Sequence, residues 1–296
     1  MVRIGMIFPQ YELGDDPASA AVTYARAVEA AGFDHLAMHD HILGIDPAAH
    51  PNAPGPYDAS YAFHEPFVLM GHLAAVTERL SFMPDVMVLP QRQTALVAKQ
   101  AAEVDVLSRG RLRLGVGVGY NAFEYASVGV DFASRGARFE EQIIVLRLLW
   151  THEVVTFAGR FHSIDAAGIR PLPVQRPIPL WLGGGEGATT RALQRIGRFA
   201  DGWLPNLVPG VDDAALRRTM DTVFTAAADS GRPDGSLQVE GMIQVSKPFD
   251  QAETEMRMQA WIGFGATRLT FRCLDVGYTF AEHLDLVARL SRYCAW

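Results

Sequence analysis

The chain has 296 residues, a formal net charge of -7 and no basic stretch interleaved with aromatics, so it carries no electrostatic footprint for nucleic acid. Hydrophobic residues at 49% and charged residues at 20% fit a well-packed soluble globule, long enough for one large α/β barrel or two ordinary domains. Two distant cysteines outside any CxxC, no signal-peptide pattern, and no apolar run long enough for a bilayer point to a cytoplasmic protein without membrane partner, disulfide framework or zinc ribbon.

The chain begins with an apolar strand, Arg3 to Phe8, stopped by Pro9. A helix follows over Ala18 to Ala31, its apolar face formed by Ala21, Tyr24, Ala25 and Val28, with Gly32 as its stop. Phe33 to His39 reads as strand two. Residues 42–64 then carry four prolines and the aromatics Tyr57, Tyr61 and Phe63. Loops beyond ~15 residues are uncommon unless functional, so this stretch reads as a lid over a pocket. Pro66 to Thr77 is a helix with proline in its first turn. Strand three spans Leu80 to Leu89, and a helix spans Ala95 to Leu107.

Arg111 to Asn121 is the stretch around which the chain is organised. Leu112, Leu114, Val116 and Val118 are apolar, while Gly115, Gly117 and Gly119 recur every second residue and share one face of the strand. Glycine weakens a strand unless a backbone or a ligand approaches closely. The spacing therefore predicts room for a flat or phosphorylated ligand, with tight strand packing as the other reading. An aromatic loop to Ala133 follows. Ser134 then caps a helix whose stripe is Phe139, Ile143, Leu146 and Trp150. Residues 151–179 form an insertion with a hairpin about Ala158-Gly159.

Strand five, Leu180 to Leu182, runs into Gly183-Gly184-Gly185 and a helix to Gly197. Main-chain N–H groups there, with Thr189 and Thr190, form a candidate anion site. Strands follow at Ala200 to Leu204, Leu237 to Val245 and Thr267 to Phe271. Helices follow at Asp212 to Ser230, from a capping box at Asp250–Glu253, and from a second box at Thr279–Glu282. Eight strand–helix units imply a closed parallel barrel, with an open doubly wound sheet as the alternative. The expected architecture is a single α/β domain over 1–296, a TIM (β/α)8 barrel with a lid at 42–64 and an insertion at 151–179.

The chemically notable residues fall where strands end, which is where barrels place their sites. His39-Asp40-His41 follows strand two; with Asp275 it offers the beginnings of a metal set, and a metal-dependent hydrolase is one functional alternative. Middle-strand ligands for it are missing, and the expected metal is none. Pro84-Asp85-Val86 predicts a bulge inside strand three, with a polar Asp85 that must face solvent, a partner or a ligand. No P-loop, GxSxG elbow or dinucleotide GxGxxG entering a helix occurs.

The runs GMIFPQ, AAGFDHLAMHDH, VDVLSRGRLRLGVGVGYN, ASRGARFEEQIIVLRLLW, VTFAGRFHSI, PIPLWLGGG and ADGW resemble the luciferase-like monooxygenase superfamily over nearly the whole length. The resemblance implies a bacterial luciferase-like TIM barrel that binds the deazaflavin coenzyme F420 or flavin mononucleotide (FMN). It places a non-prolyl cis peptide behind the coenzyme ring at Asp85-Val86. It places Gly117, Val118 and Gly119 along the coenzyme edge, and Gly183, Gly184 and Gly185 at its phosphate. It places Asp40 and His41 near the reactive ring. The sugar-phosphate dehydrogenases of the family have glutamate where this chain has Tyr120 and tryptophan where it has Ile45, so their substrate does not carry over. Proton transfer then falls to His41, whose ordinary pKa lies near neutrality, or to Tyr120, whose phenol is a weak acid. The expectation is an F420-dependent oxidoreductase acting on a small, largely apolar substrate. The alternatives are an FMN monooxygenase fed by a separate reductase, the metal-dependent hydrolase, and a member that only binds flavin. The resemblance also suggests a homodimer.

Overall fold

The computed structural model describes residues 2–185 and 187–295. Its main sheet is parallel, built largely from alternating strands and helices of the kind the sequence spacing implies. The first three strands are β1 (Arg3–Ile7), β2 (His35–Met38) and β3 (Ser81–Pro84), interleaved with α1 (Pro17–Ala30) and α2 (Pro66–Ala74). Strand three is broken: β4 (Met87–Val88) resumes after Asp85 and Val86, as the polar interruption predicts. β3 pairs with β2 on one side, and β4 pairs with β5 (Leu114–Gly117) on the other. β8 (Leu180–Gly183), β9 (Gly202–Leu204), β10 (Gln238–Gln244) and β11 (Arg268–Arg272) continue from β5 back to β1. The two halves of strand three thus close the sheet on itself, giving the eightfold TIM barrel and excluding the open doubly wound sheet.

Around the barrel run α3 (Thr94–Leu107), α5 (Arg135–Thr151), α6 (Thr190–Phe199), α7 (Asp213–Asp229), α8 (Gln251–Gly263) and α9 (Phe280–Leu290). The loop after β5, expected to be irregular, instead contains α4 (Ala122–Ser127), with Asn121 as its cap. The insertion holds the antiparallel hairpin β6 (Val155–Ala158) and β7 (Ser163–Ala167). Glu141 of α5 accepts from the N–H groups of Arg160 and Phe161 and from His162, pinning that hairpin to the barrel. Two expected caps differ. Ser134 does not cap α5; its hydroxyl donates to Asp131 O instead. Asp250 caps α8, but Glu253 turns to Arg257 rather than completing the box, whereas Thr279 and Glu282 form a complete one.

Alternation along the strands sorts the barrel interior into layers. The lowest is polar: Glu240 accepts from Arg113 at 2.7 Å and lies 2.8 Å from His35 Nε2, with Thr270 as a third partner. Two residues further along each strand, Ile7, Ala37, Met83 and Trp181 form a small apolar plug with Leu274. Two residues beyond Ala37 and Met83 lie His39 and Asp85, which line the barrel mouth with the bonded pair Gln244 and Arg272. The apolar plug separates these residues from the lower charges.

Candidate active site

The bulge forms one wall of the mouth. Its backbone is fixed by Asp85 N donating to Met38 O at 2.6 Å and by His39 Nδ1 donating to Asp85 O at 2.7 Å. The peptide bond between Asp85 and Val86 is cis, as the family resemblance implies for this position. The glycine spacing is explained by what sits opposite. A Cβ on Gly115 would meet Pro84 O, one on Gly117 would lie 2.7 Å from Val86 Cγ2, and one on Gly119 would lie 2.6 Å from Val88 Cγ1. Gly183 meets Val86 from the other side, at 3.0 Å. The room left by the glycines on strands β5 and β8 is therefore filled by the bulge itself. The strand-packing reading holds for these side-chain positions, and any ligand would rest on the surface that Val86 presents.

His41 lies above the bulge. Its Nδ1 is 2.9 Å from Glu124 Oε1, and Gln91 Nε2 donates to the other carboxylate oxygen at 3.0 Å. Burial alone would raise the Glu124 carboxyl; the bonds from His41 and Gln91 outweigh it and hold the group below its ordinary value. The ring of His41 sits among Tyr57, Phe63 and Tyr120, with centroids at 5.1, 4.9 and 6.0 Å. Tyr120 is half exposed, and burial with nearby Tyr57 and Glu124 pushes its phenol up to about 12, away from use as an acid near neutrality. Sequence periodicity does not reveal Glu124, because α4 is only six residues long. The Asn121-x-x-Glu124 spacing of a capped helix was the available signal.

Asp40 is brought beside His41 in the chain but turns away from the mouth. Its carboxylate accepts from Arg92 Nη2 at 2.8 Å and from Val88 N at 3.3 Å, and the residue is 5% exposed. Arg92 also donates to Glu65 at 2.8 Å, so this cluster ties β2, the bulge and the end of the lid together. His39 bonds the bulge and Asp275 pairs with Arg272 and Tyr11, so neither serves the proposed metal set. Among the described residues no group of three or more His, Cys, Asp or Glu is placed to hold a metal ion.

The lid folds back over the mouth. Ile45 bridges Asp58, and Tyr57 packs against Tyr11, His39, His41, Tyr61 and Phe63. A groove of about 220 Å³ opens beside Glu124, lined by lid residues from Leu43 to His50 and by Phe123. At the far rim, Gly184 O accepts from Trp203 Nε1 at 2.6 Å, and a Cβ on Gly185 would lie 2.9 Å from Asn206 N. Thr189, expected as an anion donor, caps α6 by accepting from Ala192 N. Val118 contributes its carbonyl to Tyr125 OH at 2.6 Å. No helix among the described residues is long and apolar enough to cross a membrane.

The model for luciferase-like monooxygenases matches residues 4–289. An uncharacterized protein of Mycobacterium tuberculosis (strain ATCC 25618 / H37Rv) is 37% identical over 216 residues, covering 71% of this chain and 72% of that one. Among solved structures, the monooxygenase RslO1 from Streptomyces bottropensis superposes with a TM-score of 0.76 at 17% identity, over 98% of both chains. An F420-dependent secondary alcohol dehydrogenase, solved with an F420-acetone adduct, superposes with a TM-score of 0.76 at 18% identity, over 97% of both. With a family match running from the first strand into the last helix, and a cis bond at Asp85-Val86, this chain belongs to the luciferase-like monooxygenase family, whose members are oxidoreductases and monooxygenases.

Proposed function

We propose that this protein is an F420-dependent oxidoreductase that interconverts a small, largely apolar alcohol and its carbonyl compound. The observation that carries the proposal is the His41–Glu124 pair, roofed by aromatic rings beside the Asp85–Val86 bulge. The residues present fit a planar coenzyme: the bulge offers the Val86 surface as a backing, and the mouth holds a buried His39 Nε2 with no hydrogen-bond partner. At the other end, Gly183, Gly184 and Gly185 carry no side chains of their own, so an anionic tail there would meet main chain.

When bound, the coenzyme would supply hydride transfer; the protein supplies orientation, shielding and the proton. Gly117, Val118 and Gly119 would border the ring. Glu124 fixes the tautomer of His41 by holding a proton on Nδ1, which leaves Nε2 to give or take the substrate's hydroxyl proton. Tyr57, Phe63 and Tyr120 would keep water from the reacting carbon. The alcohol or carbonyl class is supported by the acetone adduct in the structurally similar dehydrogenase.

Incubation with F420 and with FMN in separate samples, followed by gel filtration and an absorbance scan, tests the reading. Co-elution of the deazaflavin, and its reduction by secondary alcohols, is expected. Co-elution of FMN alone, with oxygen-dependent turnover on addition of a flavin reductase, would replace it with the monooxygenase reading.

A further inference from the structure

Asp85 stands in the mouth outside the proton path of His41 and Glu124. It projects two positions beyond Met83 on the broken strand, so it stands above the apolar plug, and it keeps some accessible surface. Its main chain is held at both ends, by Met38 O and by His39, yet no hydrogen bond reaches its carboxyl among the described residues. The charged groups that act on it are Glu240 of β10, His35 of β2 and Arg113 of β5, beyond the plug, and Arg272 of β11 in the mouth. All four are engaged with one another or with other residues. Glu240 is satisfied by Arg113, His35 and Thr270 in the lower layer, and Arg272 by Asp275 and Gln244. Arg113 Nε and Nη2 below the plug and His39 Nε2 in the mouth also lack partners, and none of them bonds the Asp85 carboxyl. Burial, reinforced by Glu240, pushes the Asp85 carboxyl up to about 7.

We propose that Asp85 is a coenzyme-contacting residue whose carboxyl takes up a proton when the ring settles against the bulge, and then donates that proton in a hydrogen bond to the ring. The inference rests on the coenzyme reading above. Its physical cause is exclusion of water. A ring seated on Val86 removes the remaining solvent from a carboxyl that has no protein donor, so the charged form loses its last stabilisation. By linkage, a proton taken up on binding makes the affinity fall as pH rises above the value of the free carboxyl.

Titration calorimetry of the intact protein with F420, and in parallel with FMN, tests this in buffers of different protonation enthalpy. At pH 8 the wild type should take up close to one proton more than Asp85→Asn does, and at pH 5.5 the two should match. Between pH 8 and 9 the wild-type affinity should fall about tenfold relative to the variant. An identical proton count in both proteins, or proton release in the wild type, overturns the inference while leaving the coenzyme reading intact. Failure of both coenzymes to bind the wild type overturns both. Asp85→Ser serves as a second variant should the asparagine protein fold poorly. An infrared band of a protonated carboxyl, appearing on coenzyme addition to the wild type alone, gives a readout independent of any variant's affinity.

Discussion

His41 and Glu124 meet at 2.9 Å although 83 residues separate them in the chain. The first leaves the end of β2 and the second lies in the first turn of α4, which follows β5, so the pair spans the broken strand three between them. If this pair moves the proton, His41→Gln should lower kcat by ~100-fold or more, within the range found for loss of a general acid or base. Coenzyme affinity should change by only a few-fold. Glu124→Gln should act more mildly and alter the pH dependence of kcat, because it perturbs the tautomer and charge of the imidazole without removing the ring. Unchanged pH profiles in both variants would remove His41 from the proton path.

Gly117 and Val86 form a second tight pair. A methyl added at Gly117 meets Val86 Cγ2 at 2.7 Å, inside van der Waals contact. Gly117→Ala should destabilise the fold by ~1–3 kcal/mol through overpacking. Val86→Ala in the same chain should restore part of that loss, with a coupling of ~1 kcal/mol in a double-mutant cycle. Denaturant melts of the four proteins measure it; strict additivity would mean that the two residues do not share the space.

These pairs show where sequence reading reaches and where it stops. The barrel was legible because eight apolar runs alternate with helical spacing, and the bulge was legible because Pro84 and Asp85 interrupt one of those runs. The glycine periodicity was equally plain, but what filled the space was not: Val86 and Val88 belong to a strand some thirty residues earlier in the chain, and only closure of the barrel brings them opposite. Asp40 illustrates the other limit. Its neighbour relation to His41 is a fact of sequence, whereas the direction of its side chain depends on Arg92, which arrives from the far side of strand three. Glu124 was hidden by its short helix, too brief to show a period.

Asp40 and Arg92 give a test of that direction. Asp40 is buried and Arg92 partly so, and the carboxylate is held by Val88 N and Arg92. Removing one partner of a buried ion pair costs ~3–5 kcal/mol, so Asp40→Asn should lose stability on that scale. The folded fraction should retain coenzyme affinity and kcat within a few-fold. A stable Asp40→Asn protein with lost turnover would instead place the carboxylate in the chemistry.

Tyr57 should govern entry to the mouth. It touches five other rings, two of them the imidazoles of His39 and His41, and so occupies the approach to the bulge. Lid motion must precede binding in such an arrangement. Tyr57→Ala should speed coenzyme association in stopped-flow fluorescence and raise its dissociation rate as well, because the same ring would shield the bound state. An association rate no different from the wild type would mean that the approach lies elsewhere.

Glu240 and Asp85 predict opposite dependences of stability on pH. Arg113, His35 and Thr270 overcome the effect of burial and hold Glu240 well below its ordinary range. A carboxyl depressed in the folded state contributes stability that is complete above its unfolded value of ~4.3 and is lost as pH falls through the folded value. Asp85 is raised to about 7, so its contribution is complete below the unfolded value of ~3.9 and is lost as pH rises toward 7. Glu240→Gln should therefore be less stable than the wild type at pH 7, by ~3–5 kcal/mol since Arg113 and His35 lose their buried partner, and the gap should narrow toward strongly acid pH. Asp85→Asn should gain on the wild type as pH rises from 5 to 8. Thermal melts of the three proteins from about pH 3 to 8 decide it. Parallel curves for Asp85→Asn and the wild type would show that the Asp85 carboxyl titrates alike in folded and unfolded chains.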